Sequence, residues 1–252
     1  MIDKYNTRLL SICSSFRRPE MLFDMLETFY VKRTDDKTQI FVYLHNDDPQ
    51  IDNYKKLIAG HKERFGFELN YVIGRHRCLR EVVNHVVFSM YREIPYYQII
   101  CDDHLYLTQN WDSILIKRYM EVSNGWGWCC GDDMLNDDWY TWQHPGAEIW
   151  SWKFVNAIGY VYPRSVNHRM IDLYTKDLGL SLENGIVFVP EVKIKHLFGC
   201  ASVSDDVNLK ETYSEDNYDS AMAGIQLWKD VDKADCIDRI RKEILREDHL
   251  PL

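Results

Sequence analysis

Two short stretches carry residue types that can do chemistry together. "DDH" (102–104) ends an apolar run, Ile99–Ile100–Cys101, with two acids and an imidazole. "GRHRCLR" (74–80) gathers Arg75, Arg77 and Arg80 beside His76. Buried charge is costly unless it is paired or bound to a metal. Acids with imidazoles suit a divalent cation, and arginines suit phosphate oxygens. The chemistry implied is the handling of a metal-bound diphosphate.

The elements that must position these residues are legible from periodicity. Strand-forming runs at 8–15, 39–48, 68–74 and 96–101 alternate with helical patterns at 19–33, 48–66 and 79–94. Such alternation predicts a parallel sheet with crossover helices. After residue 110 the alternation fades. A helix over 110–122, a short strand in 126–135, a strand over 154–163, a helix over 165–179, a strand pair over 185–199 and a polar, mostly helical tail ending in 236–248 are expected. No Gly/Ser/Pro-rich linker appears, so 1–252 is read as one domain. Its N-terminal half, 1–109, binds the nucleotide, and 110–252 binds the acceptor.

In open α/β sheets ligands sit beyond the carboxyl ends of the strands. Here those ends read "SSFRRP" with Ser14, "HNDD" with Asp47, "GRHR" with Arg77, and "DDH" with Asp102, Asp103 and His104. Other nucleotide sites find no support. There is no G-x-G-x-x-G after the first strand, no G-x-x-x-x-G-K-[ST], no glycine-rich nucleotidyltransferase loop and no G-x-S-x-G.

Composition bounds the rest. The chain is 46% hydrophobic and 13% aromatic, enough for a packed core. A formal charge of −9 disfavours a nucleic-acid backbone or an anionic membrane as partner. No apolar run approaches the roughly 20 residues of a membrane span. "MIDKYNTRLL" lacks the form of a signal peptide. Seven scattered cysteines without a C-x-x-C pair indicate neither a zinc knuckle nor a disulfide framework. A cytoplasmic setting is expected.

With these motifs in this order, the chain resembles the GT-A-fold glycosyltransferases of the family-2-like group over roughly residues 8–215. The resemblance implies an α/β fold of GT-A (Rossmann-like) type, a mixed, mainly parallel central sheet flanked by helices. It implies a sugar nucleotide donor, a UDP-sugar, held by Mn²⁺ or Mg²⁺. Asp102-Asp103-His104 resembles the D-x-H variant of the family's D-x-D motif, with Asp102 and His104 on the metal and His196 completing the set. By the same resemblance Asp47 lies near the nucleobase and ribose, Asn84 packs near the nucleotide, and Arg77 or Arg80 faces the diphosphate. Asp172 would be the base of an inverting enzyme, with Asp137 and Asp138 as rivals. The first loop departs from Arg-Gly-Arg-Pro, which leaves Arg17 and Arg18 without an assigned role. Acceptors consistent with the family include a glycan, a protein, a small molecule or a hydroxymethylated DNA base as in phages, the last opposed by the −9 charge.

Six tryptophans, Trp126, Trp128, Trp139, Trp142, Trp150 and Trp152, crowd the middle of the chain. They are expected to divide between the core and an acceptor platform. A non-catalytic nucleotide- or glycan-binding module of the same fold is the alternative reading.

Overall fold

Apolar strands of β-branched and aromatic residues build an eight-stranded sheet in the computed structural model. It describes residues 2–3, 5–76, 78–134, 146–166, 170–197 and 222–248. In chain order the elements are β1 (Leu9–Ser15), α1 (Pro19–Lys32), β2 (Thr38–His45), α2 (Ile51–Phe65), β3 (Asn70–Gly74) and α3 (Leu79–His85). There follow β4 (Tyr96–Ile100), β5 (His104–Tyr106), α4 (Trp111–Ser123), β6 (Trp128–Asp132), β7 (Ile149–Ser151) and α5 (Trp152–Ile158). The last are α6 (Ile171–Leu180), β8 (Ile186–His196) and α7 (Lys233–Asp248).

The spatial order is β3-β2-β1-β4-β7-β6-β8-β5. The first four strands run parallel, as crossover helices require. β7 then runs antiparallel to both β4 and β6, β6 pairs parallel with β8, and β5 closes antiparallel on β8. The sheet is therefore mixed and mainly parallel, as expected. α1, α2 and α4 bury Leu22, Phe29, Tyr54, Trp111 and Leu115 against one face. α3, α5, α6 and α7 bury Val82, Val83, Phe154, Tyr174 and Ile237 against the other.

Three expectations change. Residues 152–158 form a helix rather than the expected strand. Ser151 Oγ caps it by accepting from Phe154 N at 3.1 Å, and Gly159 ends it in the left-handed region at φ 87°. The apolar run Phe154, Val155 and Ile158 falls on one helical face. The helix expected over 79–94 is α-helical only to His85 and continues as a π-helical turn, Val86–Met90. The expected strand pair over 185–199 is one strand, β8, whose register with β6 shifts between Gly131 and Asp132. No described helix is long and apolar enough to cross a membrane.

Candidate active site

The buried strand β4 delivers the acids. Its last residues pair with β1, Ile100 opposite Cys13, and the chain then reverses through 101–104 into β5. His104 N donates to Cys101 O at 3.4 Å, and Cys101 N donates to His104 Nδ1 at 3.1 Å, so the imidazole closes its own turn. β5 then pairs with β8 in a register that sets His104 opposite His196, and the two rings meet edge to face at 4.5 Å. His196 N donates to Asp133 O and Leu197 N to Asp103 O, each at 3.0 Å. β8 can follow β6 this closely because residue 131 is glycine, where a Cβ would lie 2.5 Å from Val192 O.

The acids and imidazoles form a tight charged group. Asp102, Asp103 and His104 are all buried, at 0%, 3% and 2% exposure. Ser15 Oγ donates to Asp102 Oδ2 at 2.6 Å. Arg18 sets one guanidinium nitrogen 3.0 Å from Asp102 Oδ1 and the other 3.4 Å from Asp103 Oδ2. His196 Nε2 stands 3.4 Å from Asp103 Oδ1, an ion-pair distance.

Each titratable group reports these neighbours. Burial pushes the Asp103 carboxyl up, but His196, His104 and Arg18 together hold it well below the usual carboxylate range. For His196, burial lowers and the Asp103 hydrogen bond and charge raise, with Asp133 and Asp172 adding; the net shift is upward. Burial, then the neighbouring His196, brings His104 down to about 3, so that ring is neutral. Because Nδ1 accepts from Cys101 N, the neutral ring carries its proton on Nε2, which has no hydrogen-bond partner among the described residues. Cys101, Asp103 and His104 each offer a ligand atom within 4.8 Å of the others, a donor set that fits a divalent metal.

The other expected site residues are distributed as follows. Ser14 Oγ lies 3.2 Å from His45 Nε2 at the ends of β1 and β2. Asp47 is exposed on the turn after β2, whereas Asp48 is buried and accepts from Arg17 N at 2.6 Å and Gln50 N at 2.7 Å. Asn84 and Arg80, expected near the nucleotide, both bond to backbone. Asn84 accepts from Val161 N at 2.8 Å and donates to Tyr162 O at 2.7 Å. Arg80 donates to the carbonyls of Arg164 and Val166. Both staple the 161–166 segment to α3. Asp172 stands in the first turn of α6, half-buried, and its charge reaches His196, Glu148 and Tyr162. Arg77, Asp137, Asp138, Trp139 and Trp142 lie outside the described residues. Trp126, Trp128 and Trp150 are core, and Trp152 packs partly buried beside Phe88 and Tyr97.

Sequence reasoning missed Glu148. It sits just before β7, where its carbonyl accepts from Ile99 N at 3.0 Å, and its carboxylate accepts from Tyr162 Oη at 2.5 Å. Burial, against the Tyr162 bond and with Asp172 adding, pushes its carboxyl up to about 7. The one signal for it was a lone acid directly ahead of the apolar run "IWSW".

No family model matches the chain, and no curated protein matches it. Solved structures do. The mannosyltransferase PcManGT of Pyrobaculum calidifontis, in complex with GDP-Man and Mn²⁺, aligns with TM-score 0.61 at 10% identity, covering 97% of this chain and 76% of that one. S. aureus TarS 1-349 in complex with UDP-GlcNAc aligns with TM-score 0.56 at 7% identity, covering 85% and 64%. The same fragment with UDP gives 0.55 at 9% identity, covering 75% and 59%. The chain thus spans less than two thirds of the TarS fragment. Its fold is that of GT-A-like glycosyltransferases.

Proposed function

We propose that this chain is a metal-dependent glycosyltransferase that moves a sugar from a nucleotide diphosphate sugar to an acceptor hydroxyl. One observation carries the reading. The β5–β8 pairing brings His196 against Asp103 and His104, beside Arg18, at the carboxyl end of a GT-A sheet. A UDP-sugar with Mn²⁺ is the favoured donor and ion; TarS is solved with UDP, and PcManGT with GDP-Man and Mn²⁺.

A bound divalent ion would neutralise charge on the departing diphosphate. Asp103 and His196 would hold it, with Cys101 at hand. Asp102 would hold it beside them; it accepts from Ser15 and, like Asp103, faces Arg18. His104 could ligate only by giving up the Cys101 N–H contact, since its Nδ1 is already an acceptor. Ser14 and Asp47, at the ends of β1 and β2, would meet the nucleoside. Asp172, on the acceptor side and within reach of the same charges, would take the acceptor's proton in an inverting reaction. Residues 1–109 would hold the donor and 110–252 the acceptor.

Calorimetric titration of UDP in the presence of Mn²⁺ tests the reading. Binding should require the metal, vanish with EDTA and fail in His196→Ala. Metal-independent binding, or none, would remove the UDP-sugar site and favour the non-catalytic module.

A further inference from the structure

The loop between β1 and α1 is organised around one guanidinium. Arg17 holds φ at 62°, a left-handed conformation that a non-glycine residue keeps only when its surroundings enforce it. They do: Arg17 N donates to Asp48 Oδ2, and Gln50 Nε2 donates to Arg17 O at 3.2 Å. Arg18 N then donates to Tyr54 Oη at 3.0 Å, and Pro19 starts α1 directly after it. This scaffold aims Arg18 so that its fork meets Asp102 with one nitrogen and Asp103 with the other. Two acids adjacent in the chain and both buried share a guanidinium whose side chain is 21% exposed.

We propose that Arg18 is the resident counter-ion of this acid pair. It holds the cation's place in the free protein, a divalent ion enters only as Arg18 leaves, and the released guanidinium passes to the donor's diphosphate. The proposal rests on the glycosyltransferase reading above. Its physical basis is competition. Buried carboxylates need a nearby cation, and a guanidinium and a divalent ion within a few ångströms of each other repel strongly at low dielectric. The planar fork that spans two carboxylates also matches two phosphate oxygens. Ion and diphosphate should therefore bind with positive coupling through Arg18.

The test uses Mn²⁺ alone, followed by the paramagnetic resonance signal of the free ion, with full-length wild type, Arg18→Gln and Arg18→Lys. Arg18→Gln keeps a polar side chain and loses the charge, and it should bind Mn²⁺ about tenfold tighter or more. Arg18→Lys should stay within about threefold of wild type. Inorganic pyrophosphate should tighten Mn²⁺ binding to wild type and lose that effect in Arg18→Gln. A folded Arg18→Gln that binds Mn²⁺ no tighter than wild type overturns the proposal alone. Absence of Mn²⁺ binding by every folded form overturns the metal reading, and the proposal falls with it. If Arg18→Gln unfolds without metal, its recovery by Mn²⁺, with a larger rise in Tm than wild type shows, supports the proposal. Failure to recover at saturating Mn²⁺ overturns it.

Discussion

Two buried aspartates, each facing an arginine, sit at opposite ends of the same sheet and are treated differently. At the end where β1 and β2 begin, Asp112 is fully buried. It accepts from Thr34 N at 2.8 Å, Thr34 Oγ1 at 2.6 Å, Arg8 Nη2 at 2.8 Å and Thr38 Oγ1. At the other end Asp102 accepts from Ser15 and faces Arg18, but it must share that guanidinium with Asp103. A carboxylate surrounded by its own donors is structural: it ties α4 to the loop after α1 and to β2. A pair of adjacent carboxylates facing one shared guanidinium, with His196 beside Asp103, concentrates negative charge in a dry place. Charge of that kind is useful where a cation or its complex will arrive.

The contrast can be broken by substitution. Asp103→Asn should lower sugar transfer by about 1000-fold and also lower Tm, because the carboxylate loses its pairing with His196 and Arg18; turnover assays beside thermal melts would show both. Asp112→Ala should cost stability alone. It should cost about 4 kcal/mol in urea unfolding by stranding its donors and Arg8, with Mn²⁺ affinity unchanged in the folded fraction.

A third buried acid sharpens the comparison. Glu148 accepts from Tyr162, yet burial raises its carboxyl from 4.5 to about 7. The folded state therefore keeps a proton that the unfolded chain releases above about pH 4.5. The associated stability is complete below that pH and lost as pH rises through 7, a fall of about 3 kcal/mol. Urea titrations at several pH values should show this slope in wild type and not in Glu148→Gln. The smallest effect is expected at His104. His104→Asn keeps an acceptor for Cys101 N, so Mn²⁺ affinity should fall only about threefold, against about 50-fold for His196→Ala. Equal losses in a direct metal titration would make His104 a ligand.

How much of this the sequence showed depended on element length and on locality. β1 to β4 and their helices announce themselves by period, because each is long enough to repeat its pattern. β5 and β7 have three residues each, too few for any period, and they are the strands that bend the sheet into a site. Asp102, Asp103 and His104 stood out as polar groups closing an apolar run, whereas His196 was reached through the family resemblance. The hydrogen bonds of Asn84 and Arg80 to the 161–166 backbone were not legible, because they link residues about 80 positions apart and no local spacing encodes them. The roles of Arg18 and Glu148 were not legible for the same reason: their meaning lies in partners supplied by other elements.

The pairing of β5 with β8 also orders events in time. The acids lie near position 103 and their imidazole partner at 196, so an emerging chain exposes the charged turn long before β8 exists to cover it. Closing so long a loop is slow compared with forming β1 to β4 and their helices. During that interval Arg18, close in sequence to β1, is a partner that the N-terminal half can itself supply to both acids. The guanidinium would then act as an internal chaperone for the turn, holding two carboxylates in place until the last strand docks.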